Sequence, residues 1–274
     1  MGELSFSDAV LVSQAERAEY LSFACRAVRA AGQAILPFFR THLAVDNKRT
    51  QGFDPVTEGD RAGERAIREA IAAQYPQHGI FGEEYGLQAG NGLTWVIDPI
   101  DGTRAFMTGM LHWGVLLGLF DGQQPVVGVM YQPYTDELFW GDGQHAGFER
   151  AGHQQSMHAS GVEDLADATL GTTGPNWFSP QELVGFEALR DRAKMTRLGG
   201  DCYVYAMVAM GSLDIATDGS LNPYDIMGLI PIIRGAGGAI ATYQNGNPSL
   251  GGTVVACGSQ VLLDQSIRLI ESAG

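Results

Sequence analysis

The sequence predicts a layered α/β fold, and three observations predict it. Two stretches near the N-terminus carry apolar residues at helical spacing. From Gly79 onward short apolar runs of β type replace them. In the second half, helical and strand patterns alternate. With 274 residues, 45% of them hydrophobic and 18% charged, the chain can bury a large core and is too apolar for disorder.

Residues 8–37 show Leu11, Ala15, Ala18, Cys25 and Val28 at helical spacing, which predicts one long amphipathic helix ending at Pro37. Thr57-Glu58-Gly59-Asp60 reads as an N-cap with acids in the first turn. Ala62, Ala66, Ile67, Ala70 and Ile71 continue that helix to Tyr75-Pro76. Strands are predicted at 79–82, 93–97, 113–120, 125–132 and 137–141, with Asp121-Gly122 as a hairpin turn. A polar stretch, 151–166, opens the second half. After it come a strand at 169–173, a helix at 180–193, a helix after Gly200 and a strand at 213–217. Asn222-Pro223 starts a further helix that Pro231 should kink and Gly235–Gly238 should end. Strands at 239–243 and 253–256 and a last helix complete the pattern. The expected organisation is one compact unit with an N-terminal part, 1–150, and a C-terminal part, 151–274.

A net charge of −14 argues against a broad nucleic-acid-binding face. It would also repel a phosphorylated substrate unless bound cations reversed the local field. Cys25, Cys202 and Cys257 are odd in number and widely spaced, so neither zinc nor a disulfide framework is expected. No apolar run reaches the roughly 20 residues of a membrane span, and the first residues lack the basic and apolar regions of a secretion signal. The expectation is a cytoplasmic protein that binds neither membrane nor nucleic acid.

The chemistry concentrates in Trp95-Val96-Ile97-Asp98-Pro99-Ile100-Asp101-Gly102-Thr103, where an apolar strand ends in two carboxylates three positions apart. Mg²⁺ takes oxygen ligands, usually one or two carboxylates with substrate phosphate oxygens and water. Gly102 and Thr103 follow, where N–H groups at a helix start can receive a phosphate. By itself this pattern is also a common turn. Glu83, in Gly82-Glu83-Glu84, ends another apolar run, and Asp225 stands in the first turn of a predicted helix. Alone, each would pass for a solvated surface acid or a helix cap. Together they can converge on a metal site.

Gly82-Glu83-Glu84, Trp95 to Thr103, and Pro223-Tyr224-Asp225 through Gly237-Gly238 resemble the three signatures of the inositol monophosphatase superfamily, in order and over nearly the whole chain. The resemblance implies an αβαβα sandwich and a Mg²⁺-dependent phosphomonoester hydrolase, a homodimer acting on small phosphate monoesters. It implies that Glu83, Asp98 and the Ile100 carbonyl hold one metal, and that Asp98 bridges to a second held by Asp101 and Asp225. About two or three Mg²⁺ ions would then serve each site. Asp54 and Thr103 would form the pair that orients or deprotonates water, with Glu83 beside them, and Gly102 and Thr103 would bind phosphate. Haloacid dehalogenase phosphatases carry one residue between their two aspartates. Here there are two, so no phosphoenzyme is expected.

Arg104-Ala105-Phe106-Met107-Thr108-Gly109, Trp113-Gly114, Val127 to Tyr134, Gly199 to Tyr203 and Asn222 to Ile226 are similar to the histidinol-phosphate phosphatase branch. Its substrate carries an ammonium and an imidazole, groups that acidic side chains suit. Arg104, Asp201 and Asp218 are the candidate substrate residues. Inositol 1-phosphate or a broad range of sugar phosphates is the alternative substrate class. A scaffold protein in RNA metabolism is the alternative outside enzymes.

Overall fold

A computed structural model describes residues 3–41, 45–47 and 55–274 of the chain. Its helices are α1 (Gln14–Ile35), α2 (Glu58–Gln74), α3 (Thr103–Met107), α4 (Pro180–Arg192), α5 (Cys202–Ala209), α6 (Pro223–Ile226), α7 (Ile230–Gly235) and α8 (Gln260–Ala273). A small ladder joins β1 (Val45–Asn47) to β2 (Pro55–Thr57). The large sheet contains β3 (Gly79–Gly82), β4 (Gly86–Gln88), β5 (Thr94–Asp101), β6 (Gly114–Phe120), β7 (Pro125–Gln132), β8 (Glu137–Gly141), β9 (Ala146–Arg150) and β10 (His153–Ser156). Their order is β10-β9-β8-β7-β6-β5-β3-β4, antiparallel except for β3 beside β5. The second sheet has the order β12-β11-β13-β15-β14. Its strands are β11 (Thr169–Thr172), β12 (Met195–Leu198), β13 (Ile215–Leu221), β14 (Ala239–Thr242) and β15 (Gly252–Cys257).

Three apolar clusters define the layers. Phe23, Val28, Ile35, Ile67 and Ile71 of α1 and α2 pack with Ile97, Val115, Leu117 and Val129 on one face of the large sheet. On its other face Leu116, Met130 and Phe139 meet α5 and α7, which also cover Ala216, Val254 and Ala256 of the small sheet. Phe186, Leu189, Leu263 and Ile267 of α4 and α8 close the far side. The succession is helix, sheet, helix, sheet, helix: the αβαβα sandwich.

The middle layer is seated by three glycines on neighbouring strands. A Cβ on Gly118 would lie 2.9 Å from the Met227 backbone, on Gly128 2.2 Å from the Gly228 carbonyl, and on Gly141 2.3 Å from the Pro231 carbonyl. The segment after α6 therefore rests directly on the sheet, which fixes where α6 and Asp225 stand.

Several elements differ from the sequence expectation. α1 starts at Gln14, because Ser13 and Glu16 form a capping box, and Leu11 ahead of it is 93% exposed. Residues 153–156 pair as an edge strand although every one is exposed, so no alternation marked them. β4 and β12 are likewise short edge strands without an apolar face. Pro231 does not kink one helix. It stands in the first turn of α7, a second helix, where its missing N–H costs nothing.

Candidate active site

On a regular strand, residues three apart point to opposite faces, so β5 cannot bring Asp98 and Asp101 together without an irregularity. The pairing with β6 supplies one. Asp98 stands opposite Leu116 and Asp101 opposite Gly114, with Pro99 and Ile100 between them against the single Val115, and this is a bulge. Pro99 occupies this bulge, where its lack of an N–H leaves no ladder bond unmade. Asp98 Oδ1 accepts the Ile100 N–H at 3.0 Å, and the Thr103 hydroxyl donates to the Ile100 carbonyl at 3.1 Å. Gly102, at φ 84°, turns the chain into α3. A Cβ there would meet the His112 carbonyl at 2.8 Å as well, so geometry and space both call for glycine.

Asp225 comes from the other half of the chain. Its Oδ2 accepts the Asn222 N–H at 2.6 Å in the first turn of α6, so the capping role is real and also aims the carboxylate. Oxygens of Asp98, Asp101 and Asp225 lie within 4.8 Å of one another. Glu83 lines the same cleft outside that cluster.

The electrostatics are those of crowded like charges. Burial pushes the Asp98 carboxyl well above the usual range, and Glu83, Asp101 and Asp225 push it further. Asp101 is raised by burial and then by Asp225 and Asp201, against a 2.6 Å bond from the Cys202 N–H. Such a set of hard oxygen donors suits a divalent cation such as Mg²⁺, whose charge would reverse each of these repulsions. The donor set thus fits the metal that the sequence motifs imply.

The cluster lines a cleft of about 530 Å³. Ile100, Gly102, Thr103, Arg104, Asp201 and Asp218 all line it. Asp54, expected to pair with Thr103, lies outside the described residues, and the Thr103 hydroxyl is engaged by the Ile100 carbonyl. Asp201 has an unusual backbone, φ 47° and ψ −135°, for a residue other than glycine. Its Oδ2 is 2.8 Å from His112 Nδ1. Burial raises this carboxyl, while His112 and Arg104 oppose the rise. Asp218 is 2% exposed. Its Oδ1 accepts the Thr172 hydroxyl at 2.9 Å and the Thr173 N–H at 2.7 Å, yet burial still lifts it to about 7.

Sequence reasoning missed three side chains here. Trp177 stacks under the Arg104 guanidinium, 4.7 Å from ring centre to Cζ. His112 braces Asp201. The buried Tyr205 side chain lines the cleft beside the Asp218 carboxyl. An aromatic residue in the polar run Gly174-Pro175-Asn176-Trp177 was the one available signal. His112 and Tyr205 lie in apolar surroundings that read as core.

With this geometry in place, comparison with known proteins decides the kinship. The profile of the inositol monophosphatase family matches residues 16–274. The chain belongs to that family. It is 34% identical over 226 residues to a histidinol-phosphatase of Chlorobaculum parvum, covering 82% of this chain and 86% of that one. The bifunctional phosphatase IMPL2 of Arabidopsis thaliana is 34% identical over 218 residues, 78% of this chain, but the match spans only 61% of IMPL2. The Nus factor SuhB of Haemophilus influenzae is 31% identical over 252 residues, 88% of this chain and 92% of that one. Among solved structures, an inositol monophosphatase from Zymomonas mobilis superposes with a TM-score of 0.83 at 35% identity, covering 95% of this chain and all of that one. By kinship this family member is a phosphomonoester hydrolase.

Proposed function

We propose that this phosphatase hydrolyses L-histidinol phosphate with Mg²⁺ as its cofactor. The observation that carries this reading is the braced carboxylate of Asp201 in the wall of the cleft, 2.8 Å from His112 and flanked by the Arg104–Trp177 stack. An acidic wall with an aromatic plane suits an ammonium and an imidazole better than it suits a ring of hydroxyls. The histidinol-phosphatase relative at 34% identity supports the same choice.

In this reading Glu83, Asp98, the Ile100 carbonyl, Asp101 and Asp225 hold about two or three Mg²⁺ ions. When bound, the cations supply charge neutralisation for the phosphate and a water of lowered pKa. The protein supplies the rest. The N–H groups of Gly102 and Thr103 receive phosphate oxygens. Thr103 and Asp54, its expected partner, orient the attacking water, and its proton passes through the Thr103 hydroxyl to the Asp54 carboxylate. Asp201 and Asp218 hold the cationic end of the substrate, and Arg104 closes the phosphate end. A homodimer is part of the proposal, and light scattering that gives the mass of one chain would contradict it.

Phosphate release from L-histidinol phosphate and from inositol 1-phosphate, side by side with Mg²⁺ and with chelator, tests the assignment. Preference for histidinol phosphate, lost on chelation, is expected. In Asp201→Ala, KM for histidinol phosphate should rise about tenfold or more, since a hydrogen bond to a charged group contributes roughly 1.5–3 kcal/mol, with little change for inositol 1-phosphate. The reverse preference would keep the chemistry and move the substrate to inositol phosphates, as the Zymomonas mobilis structure suggests. Absence of turnover on both would favour the alternative outside enzymes, an interaction protein, in line with the relative named as the Nus factor SuhB.

A further inference from the structure

Glu83 stands on the three-residue connection from β3 to β4, whose register pairs Gly82 with Gly86. Glu83 and Glu84 are half-buried and Tyr85 is exposed, so the connection has little packing of its own to hold one conformation. In this structure α2 grips it. Glu64, with no exposed side-chain surface, receives the Glu84 N–H at 2.7 Å on one carboxylate oxygen and the Tyr85 N–H at 3.2 Å on the other. Arg68, one turn further along α2, donates from Nε to Glu64 at 2.7 Å and from Nη2 to the Gly86 carbonyl at 2.6 Å. Its guanidinium also lies 5.8 Å from the centre of the Tyr85 ring. The remaining N–H of the connection, that of Glu83, donates to the Ile97 carbonyl of β5 at 3.2 Å.

Gly82 completes the grip, because a Cβ there would stand 2.0 Å from Glu64 Oε1. The same helix touches the Asp98–Asp101 loop. Cβ atoms placed on Gly59 and Gly63 would lie 3.3 Å from Ile100 Cδ1 and 3.2 Å from Pro99 Cβ. Its start is locked as well, since Asp60 Oδ2 accepts the N–H and hydroxyl of the buried Thr57 at 2.7 and 2.6 Å. One rigid element therefore bears on both carriers of acidic residues, Glu83 and Asp98.

We infer that Glu64, paired with Arg68, is a positioning residue for Glu83, and that α2 sets the distance between Glu83 and Asp98. The inference rests on the reading of Glu83 as a cation ligand. A buried ion pair is a poor source of stability by itself, whereas a fixed charged acceptor for two backbone donors specifies one loop geometry. Groups outside the ligand set that orient it typically change metal affinity or activity by 10–100-fold.

The test is binding of Mn²⁺, which takes the same oxygen ligands, to metal-free protein by electron paramagnetic resonance. Glu64→Gln keeps the shape but offers the loop one acceptor and one repelling amide. Glu64→Gln with Arg68→Met removes both buried charges together and guards against a variant that fails to fold. The expected result is about a 10–100-fold weaker Mn²⁺ site in each variant, with KM for the phosphate ester unchanged and kcat recovering as Mg²⁺ is raised. A lower melting temperature of the metal-free variants with wild-type Mn²⁺ affinity would overturn the inference, leaving Glu64 a purely structural group. Glu83→Gln in parallel separates the two readings. If it weakens Mn²⁺ and the Glu64 variants do not, the clamp fails alone. If it too binds as the wild type does, the ligand assignment fails and takes the clamp with it.

Discussion

In the cleft Asp98 and Asp101 come from a single run of chain, residues 95–103, and the bulge that brings them together lies within that run. Asp201, Asp218 and Trp177, which line the same cleft, arrive from three separate segments, with Asp201 at the start of the middle-layer helix α5 and near enough to Asp101 to raise its carboxyl. The first arrangement is written in local spacing. The second exists only after the two sheets have packed on their shared helices. The locally built Asp98–Asp101 pair, which Glu83 and Asp225 join from other segments, can stay constant while the walls around Asp201 and Asp218 are remodelled by changes in packing, so one fold can serve several chemistries.

The strongest way to break this comparison is Asp98→Ala. It should reduce turnover by about a thousandfold or more, since the proposed mechanism makes the residue part of the charge-stabilising set itself. The metal-free protein should respond in the opposite sense. Removing a carboxylate that is 2% exposed and repelled by Glu83, Asp101 and Asp225 should raise its melting temperature. Retained phosphate release would remove Asp98 from the site, and a fall in metal-free stability would mean the carboxyls do not repel as their surroundings indicate.

The same division explains what could be read from the sequence. The family signatures, the layered fold and the acid cluster were legible, because each rests on residues close together in the chain or on a strong apolar period. The bulge gave no signal, though Pro99 marks it in hindsight. Edge strands β4, β10 and β12 were invisible, since strands with little to bury show no alternation. The grip of Glu64 on the Glu84 and Tyr85 backbone was also hidden, because a buried Glu in a helix looks the same in sequence as a solvated one. Position placed Asp201 and Asp218 in the cleft they line, but gave no sign of their partners His112, Thr172 and Thr173.

Asp218→Asn sharpens the contrast at the substrate end. The carboxyl is lifted to about 7 by burial, with Asp201 adding to the rise and the Thr173 N–H and Thr172 hydroxyl opposing it. The Tyr205 and Tyr243 hydroxyls also feel its charge. A carboxyl raised above its ordinary value of about 3.9 stabilises the fold fully below that pH. It loses this contribution as pH climbs through about 7. The amide keeps an Oδ1 for Thr172 and Thr173 and cannot ionise. At pH 8 the variant should therefore be more stable by a few kcal/mol, roughly 1.4 for each pH unit of the raised pKa. Near pH 4 the two proteins should melt alike. If Asp218 holds the substrate cation, the gain in stability will come with a higher KM for histidinol phosphate. Equal melting at both pH values would show that the buried carboxyl is not raised.

The smallest effect belongs to Trp177→Ala. Trp177 is 37% exposed, and its ring lies 4.7 Å from the Arg104 guanidinium, so the stack is open to solvent. A cation–π contact of that kind contributes about 0.5–1 kcal/mol, or roughly two- to fivefold in an equilibrium. Its loss removes the aromatic plane beside Arg104 in the cleft wall. KM for histidinol phosphate should rise by that factor with kcat little changed, and Trp177→Phe should recover part of it. For inositol 1-phosphate, which has no imidazole to meet the ring, the change should be smaller. An equal fall in kcat for both substrates would mean that the stack steadies the Gly102–Thr103 turn beside Arg104. The substrate end would then be less separate from the metal end than their construction implies.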